Sequence, residues 1–81
     1  MPTIDYDPEF LRLLSKIDNS IKEKVKKQIA KIVKNPEIGK PMRYTRKDTR
    51  EVYVPPFRLS YSYIKHEDKI VFLALYRKDN Q

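Results

Sequence analysis

Hydrophobic residues recur at two different spacings along this chain of 81 residues, and the spacing changes once. In the first half, apolar positions follow steps of three and four, which is the period of an amphipathic helix. From about Met42 onward they alternate with polar positions, which is the period of a strand with one buried face. The pattern predicts helices followed by strands, folded as a single domain over residues 1–81.

The first elements are a short strand and a helix. Thr3–Tyr6 is predicted to be extended, and Asp7-Pro8 begins a helix that runs to about Lys16. Asp7 can accept hydrogen bonds from the first-turn amides, and Pro8 loses no useful donor at the first helical position.

A second helix follows at once and completes a helical hairpin. It begins at a polar cap within residues 18–20, where Ser20 and Glu23 form a capping-box pair, and it ends at Asn35-Pro36. Its predicted apolar stripe consists of Ile17, Ile21, Val25, Gln28, Ile29, Ile32 and Val33. Its opposite face carries Lys22, Lys24, Lys26, Lys27, Lys31 and Lys34. A lysine-rich face of this kind is more typical of a solvated helix than of an RNA-binding surface.

Four strands are predicted in the second half, joined by Pro55-Pro56 and by the polar residues 65–68. Together with the first half they predict an α+β fold, in which the N-terminal strand and helical hairpin pack on one face of a mostly antiparallel sheet. The other face of the sheet should remain open to water. The predicted strands are Met42–Thr45, Arg50–Val54, Phe57–Ile64 and Lys69–Tyr76.

The strand Phe57–Ile64 places one arginine among apolar and aromatic residues. Alternation puts Leu59 and Tyr61 on a bulky face that suits a core. It puts Arg58 on the other face, beside the small hydroxyls of Ser60 and Ser62. A floor of hydroxyls with a cation at one end suits an anionic ligand.

The formal charge of +7, from 18 Lys plus Arg against 11 Asp plus Glu, favours association with nucleic acid or an acidic protein. A highly charged thermophilic surface is the alternative. The absence of cysteine fits a reducing compartment. The N-terminal residues carry acids and prolines instead of a basic region and an apolar core, so no signal peptide is expected, and no apolar run reaches membrane-spanning length. We therefore expect a cytoplasmic protein with no membrane association.

Most enzyme signatures are absent. There is no cysteine nucleophile, and the single histidine, His66, lies in a charged turn. Without a carboxylate cluster or a glycine-rich loop, neither a metal nor another cofactor is expected. The remaining signal is a concentration of cations and tyrosines, which suits low-specificity binding of single-stranded nucleic acid. These residues are Lys40, Arg43, Tyr44, Arg46, Lys47, Arg50, Arg58, Tyr76, Arg77 and Lys78.

The order of these parts resembles the RelE/ParE toxins of type II toxin–antitoxin systems, and among them the archaeal RelE proteins. The matching features are the early strand, the hairpin ending in "NPEIGKPMR", the strand "FRLSYSY" and the final strand "FLALYRKD". The resemblance implies a toxin that cleaves messenger RNA in the ribosomal decoding site. It also implies an acidic, RelB-like antitoxin that wraps around the toxin in a higher hetero-oligomer.

By position, the resemblance makes Arg58, Arg77 and Arg50 the expected catalytic residues. Arg58 matches the arginine of the family's "[FY]-R-apolar-x-Y" strand, and Arg77 matches the basic residue after the final strand. Arg50 stands near basic residues on the preceding strand. Many RelE toxins carry a tyrosine or histidine several residues past the last arginine, but this chain stops at Gln81. The expected RNA-binding residues are Arg43, Tyr44, Arg46, Lys47, Tyr76 and Lys78, of which Tyr44 and Tyr76 could substitute for that missing group.

Cleaving RNA through its 2′-hydroxyl requires deprotonation of that hydroxyl, stabilisation of the phosphorane and protonation of the leaving 5′-oxygen. Arg58 and Arg77 are expected to meet in one pocket and stabilise the phosphorane charge. Since arginine carries protons poorly at neutral pH, cleavage of free RNA should be negligible unless the ribosome orders the substrate. Two alternatives stay open: a ParE-like inhibitor of DNA gyrase that uses the helical hairpin, and a non-catalytic binding module of the same fold.

Overall fold

The structure, a computed structural model, describes residues 2–41 and 49–77, which form a five-stranded sheet with both helices on one face. The strands lie in the order β1-β5-β4-β3-β2; β1 runs parallel to β5, and the other neighbouring pairs are antiparallel. The predicted α+β fold is confirmed. The elements are β1 (Thr3–Tyr6), α1 (Pro8–Lys16), α2 (Asn19–Lys34), β2 (Lys40–Pro41), β3 (Thr49–Val54), β4 (Phe57–Ile64) and β5 (Lys69–Arg77), with a short 3-10 helix at Lys65–Glu67.

The predicted helix starts are right for α1 and only partly right for α2. The carboxylate of Asp7 accepts a 2.9 Å hydrogen bond from the amide of Glu9, as a capping residue should. At α2 the capping position is Asp18, whose side chain makes no capping bond. The hydroxyl of Ser20 donates to that Asp18 carboxylate at 2.7 Å, so the predicted capping box of Ser20 and Glu23 is wrong.

The core lies between the helices and the face of the sheet predicted to be apolar. Phe10 comes from α1, Val25 and Ile32 come from α2, and the rest come from β3, β4 and β5. Both Leu59 and Tyr61 are fully buried, which confirms the face predicted for β4. The buried apolar residues are Phe10, Val25, Ile32, Val54, Leu59, Tyr61, Ile70, Phe72 and Leu75.

A bulge in β5 changes which of its residues face the core. Leu59 of β4 pairs with Leu75, whereas Tyr61 pairs with Phe72, so β5 holds one extra residue between these two pairs. Leu75 and Phe72 are therefore both buried, although strict alternation would put them on opposite faces. Beyond the bulge, the alternation of β5 is reversed.

Tyr61 fixes the segment between α2 and β2. Its buried hydroxyl donates to the carbonyl of Pro36 at 2.7 Å and accepts from the amide of Gly39 at 3.0 Å. Burial raises the pKa of this hydroxyl, so it keeps the proton that it donates. A Cβ at Gly39 would lie 2.8 Å from the Tyr61 oxygen, which explains the glycine at this position. As a result, Lys40 is held beside Glu51 of β3.

The predicted strand Met42–Thr45 lies outside the described residues. The two-residue strand Lys40–Pro41 pairs with β3 just before it. Two other predicted ends differ by one residue: β3 begins at Thr49, and β5 continues to Arg77.

Replacing Tyr61 by phenylalanine should lower the free energy of unfolding by about 1–3 kcal/mol, because it leaves the Pro36 carbonyl and the Gly39 amide without their partner. Urea unfolding measures the loss. Tyr63→Phe is the matched control, since the Tyr63 hydroxyl makes only an exposed 3.3 Å contact with Asp68. Equal unfolding midpoints for the two variants would contradict the anchoring role of Tyr61.

Candidate active site

Polar side chains from three adjacent strands share the face of the sheet opposite the helices. We call this surface the open face and define it by Glu51, Tyr53, Arg58 and Tyr76; Ser60 lies on the same side of the sheet but is only 3% exposed. Tyr53 and Tyr76 are both Cα partners of Arg58, one on each side, and Ser60 is the partner of Glu51. Because directly paired residues project from the same side of a sheet, these side chains lie together.

Glu51 joins two of these groups. Its Oε1 accepts a 2.7 Å hydrogen bond from Nη1 of Arg58, and its Oε2 accepts a hydrogen bond from the hydroxyl of Tyr76. The side chain of Glu51 is 17% exposed and that of Arg58 is 30% exposed. The carboxylate is thus held between a cation and a phenol at a partly desolvated site, where a charged group needs such partners.

A shallow cleft of about 190 Å³ opens at this cluster. Its volume is below the roughly 300–1,000 Å³ of pockets that enclose small-molecule ligands. The cleft therefore suits one segment of a longer ligand better than a complete small molecule. Its lining residues are Lys40, Glu51, Val52, Tyr53 and Arg58.

Arg50, expected to be catalytic, lies on the other side of the sheet. Its Cα partner is the buried Tyr61, and its Nη1 donates to the carbonyls of Glu37 at 3.0 Å and Gly39 at 2.8 Å. Since Arg50 and Glu51 are adjacent in a strand, their side chains leave opposite faces. The expectation is corrected: Arg50 holds the backbone before β2 and does not join Arg58.

Arg77 is also separated from Arg58. It pairs with Phe57, and its guanidinium carbon lies 5.8 Å from the centre of the Phe57 ring. Arg58 pairs instead with Tyr76. The bulge explains the difference, because an unbroken alternation from the buried Ile70 would have put Arg77 on the open face. The expected meeting of the two arginines is therefore wrong, and Tyr76 occupies the position next to Arg58.

Five of the expected RNA-binding residues lie outside the described residues and stay predictions: Arg43, Tyr44, Arg46, Lys47 and Lys78. Tyr76, the sixth, lies on the open face in contact with Glu51. Within residues 2–41 and 49–77, no group of three or more histidine, aspartate or glutamate side chains is arranged to hold a metal ion.

The sequence analysis missed Glu51, although the sequence held a signal for it. A two-residue connection at Pro55-Pro56 pairs the residues on either side of it and fixes all later pairs of the hairpin. Counting back from that turn places Glu51 on the same face as Arg58, one pair further along. The placement of Glu51 beside Arg58 could therefore have been predicted from the sequence, by using the length of the turn to set the pairing register of the two strands.

The family model that matches describes the ParE toxin of the parDE type II toxin–antitoxin system, and it covers residues 4–81. The chain belongs to this toxin family. It is therefore a RelE/ParE-superfamily toxin, as the sequence resemblance predicted. No curated protein matches the toxin at a significant level.

Solved structures share the fold of the toxin at low sequence identity. A chain of the intact E. coli RelBE toxin–antitoxin complex matches with a TM-score of 0.85 and 17% identity, over 99% of the toxin and 100% of that chain. A chain of the Mycobacterium tuberculosis RelBE2 complex matches with a TM-score of 0.82 and 22% identity, over 96% of the toxin and 100% of that chain. A chain of the archaeal RelE-RelB complex of Pyrococcus horikoshii matches with a TM-score of 0.80 and 13% identity, over 99% of the toxin and 98% of that chain. The archaeal likeness is thus no stronger than the two bacterial ones.

No helix in the described part of the toxin is long and apolar enough to cross a membrane.

Arg50→Ala should destabilise the toxin by about 1–3 kcal/mol, because the part-buried Gly39 carbonyl loses its hydrogen-bond donor. Chemical unfolding measures this loss. Arg12→Ala is the control, since Arg12 makes only an exposed pair with Glu9 on α1 and should leave the unfolding midpoint nearly unchanged. An Arg50→Ala variant as stable as the wild type would contradict the structural role of Arg50.

Proposed function

We propose that this toxin is a ribosome-dependent mRNA endonuclease whose active site is the open face. The observation that carries the proposal is the Glu51 carboxylate, held between the guanidinium of Arg58 and the hydroxyl of Tyr76. A proton acceptor, a proton donor and a fixed cation are the three groups that cleavage through a 2′-hydroxyl requires.

Each group has one role in the proposed reaction. Glu51 takes the proton of the 2′-hydroxyl as its oxygen bonds to the adjacent phosphorus. Arg58 stabilises the negative charge of the phosphorane, which is usually the largest contribution to such catalysis. The bond from phosphorus to the 5′-oxygen then breaks, and Tyr76 protonates that oxygen. The products are a 2′,3′-cyclic phosphate and a free 5′-hydroxyl.

The hydrogen bond between Tyr76 and Glu51 completes the cycle. After cleavage, Glu51 carries the proton from the 2′-hydroxyl, while Tyr76 has given its own away. Transfer along their shared hydrogen bond returns both groups to their starting states. An active site of arginines alone lacks such a proton path, because arginine stays protonated at neutral pH.

The proposed dependence on the ribosome follows from the size of the cleft. A groove of about 190 Å³ contacts one nucleotide segment and cannot by itself hold the 2′-oxygen in line with the leaving group. An RNA already ordered by the ribosome would supply that alignment, whose loss is costly in rate. We therefore expect negligible cleavage of free RNA and place the reaction in the cytoplasm.

The proposed protein partner is an acidic, RelB-like antitoxin that wraps around the toxin in a higher hetero-oligomer. Three of the structural relatives are complexes of RelE-type with RelB-type proteins. The positive charge of this chain suits an acidic partner.

A second candidate function is inhibition of DNA gyrase, as expected for a ParE-like toxin. The description of the matching family, a ParE toxin, favours it. This function would use the helical hairpin as a protein-binding surface and would not depend on the proton path from Glu51 to Tyr76. Induction of the toxin separates the two candidates: transcripts cut within translated codons support the endonuclease, whereas DNA damage with intact transcripts supports the gyrase inhibitor.

Arg58→Ala should lower ribosome-dependent cleavage by about 10²–10³-fold, because the phosphorane loses its main stabilising cation. Glu51→Gln should also lower it, by about 10²–10⁴-fold, because an amide cannot take the proton. Primer extension on translated mRNA measures both, and Arg12→Ala serves as the remote arginine control.

Antitoxin affinity of the Arg58→Ala variant should stay close to that of the wild type, which shows that the fold is intact. Cleavage at the wild-type rate by either site variant would exclude the open face as the active site.

A further inference from the structure

A second basic groove lies between α2 and the end of β3. Its volume is about 170 Å³, again too small to enclose a ligand of drug size. Its lining residues are Lys24, Lys27, Gln28, Lys31, Tyr53, Val54 and Pro55. The three lysines that line it are exposed and belong to the lysine face predicted from the sequence.

The charge of this groove is not neutralised by the described residues. Helix α2 contains six lysines and one acidic residue, Glu23, whose carboxylate lies 3.8 Å from the ammonium of Lys26. Within residues 2–41 and 49–77, no carboxylate forms an ion pair with Lys24, Lys27 or Lys31. Like charges three and four positions apart on a helix destabilise it. A bound anion would remove that repulsion.

Tyr53 connects this groove to the proposed active site. It lines both the groove at α2 and the cleft at Arg58, and half of its surface is exposed. An exposed aromatic ring between two cationic grooves is the arrangement with which proteins bind single-stranded nucleic acid, since bases stack on the ring while the cations follow the backbone.

The spacing of the lysines fits a polynucleotide. Lys24 and Lys31 are seven residues apart, which is about 10 Å along a helix axis. Stacked nucleotides rise by about 3.4 Å each along one strand, so this length covers about three phosphates. Lys27 lies between the two ends, on the same side of α2.

We propose that single-stranded RNA runs from the Arg58 cleft across Tyr53 and along Lys24, Lys27 and Lys31 of α2. This path rests on the proposed endonuclease function and extends it by naming where the flanking nucleotides bind. The position of Tyr53, which lines both grooves, favours a polymer that passes through both. An acidic protein segment is the competing occupant, and the experiment distinguishes it from RNA.

Two matched pairs of substitutions on α2 test the path. Lys27→Gln combined with Lys31→Gln removes two charges from the groove, whereas Lys26→Gln combined with Lys34→Gln removes two exposed charges of the same helix that do not line it. Both pairs change the net charge equally. Circular dichroism verifies that each variant keeps its helix content.

Fluorescence anisotropy of a labelled oligouridylate, measured over a range of salt concentrations, gives the affinities. The groove pair should bind roughly tenfold more weakly than the wild type at low salt, and its log–log salt slope should be shallower by about 1.4, at about 0.7 for each lost phosphate contact. The control pair should change both quantities much less. If both pairs of substitutions weakened RNA binding equally, the loss would be an effect of net charge, and the proposed RNA path along α2 would be wrong. Unchanged RNA binding with weaker antitoxin binding would assign the groove to the acidic protein.

Tyr53→Leu supplies an independent readout, because loss of a stacking ring should weaken binding without changing the salt slope. An unchanged affinity for this variant would exclude the crossing at Tyr53. The test of the RNA path along α2 can fail independently of the test of the endonuclease site. If the groove pair binds RNA like the wild type while Arg58→Ala stops cleavage, only the path is wrong. If the groove pair binds weakly while Arg58→Ala cleaves normally, the proposed endonuclease site is wrong.

Discussion

The pairing register of β3 and β4 is the constraint on which the proposed active site depends. The two-residue connection at Pro55-Pro56 pairs Val54 with Phe57 and thereby fixes every later pair of the hairpin. A slip by one residue in β4 would exchange its faces, bringing Arg58 into the core and Leu59 out to water. Burial of a large apolar side chain is worth about 1.5–3 kcal/mol, so the core residues of β4 strongly oppose such a slip. The position of the arginine is therefore determined by the apolar residues beside it.

The ion pair of Arg58 and Glu51 contributes more to geometry than to stability. Solvent-exposed ion pairs typically add about 0–1 kcal/mol, and at this partly desolvated site the cost of taking both charges out of water offsets part of their attraction. Here the contact orients the guanidinium over the cleft and, through the second carboxylate oxygen, orients Tyr76 as well. A small energy is sufficient for this role, since the strands already bring the three residues together.

Much of the architecture was predictable because its signals are local. Asp7 and Pro8 mark the start of α1, and the alternation around Arg58 identifies the two faces of β4. The cap of α2 falls at Asp18, within the predicted residues 18–20, but the capping box of Ser20 and Glu23 was mispredicted because the Ser20 hydroxyl donates to the Asp18 carboxylate instead. Such an error concerns the end of one helix and does not change the place of that helix in the fold.

The site was less predictable because it depends on features that span strands. The bulge in β5 reverses the alternation before the strand ends, which moves Arg77 off the open face and brings Tyr76 onto it. A run of apolar residues from Ile70 to Leu75 contains no glycine or other mark that locates the bulge. Arg50 was equally hard to assign, because its partners are backbone carbonyls of a distant loop.

Nuclear magnetic resonance of the toxin's side chains tests most directly the central claim, which is that nucleic acid binds on the open face at Arg58 and Tyr76. A single-stranded DNA oligonucleotide lacks the 2′-hydroxyl and should occupy the open face without being cleaved. Its titration at low salt is expected to shift the guanidinium signals of Arg58 and the ring signals of Tyr76 together, with those of Arg50 unchanged. Shifts at Arg50 or Arg77 with Arg58 unaffected would place the nucleic acid on the other side of the sheet and contradict the account.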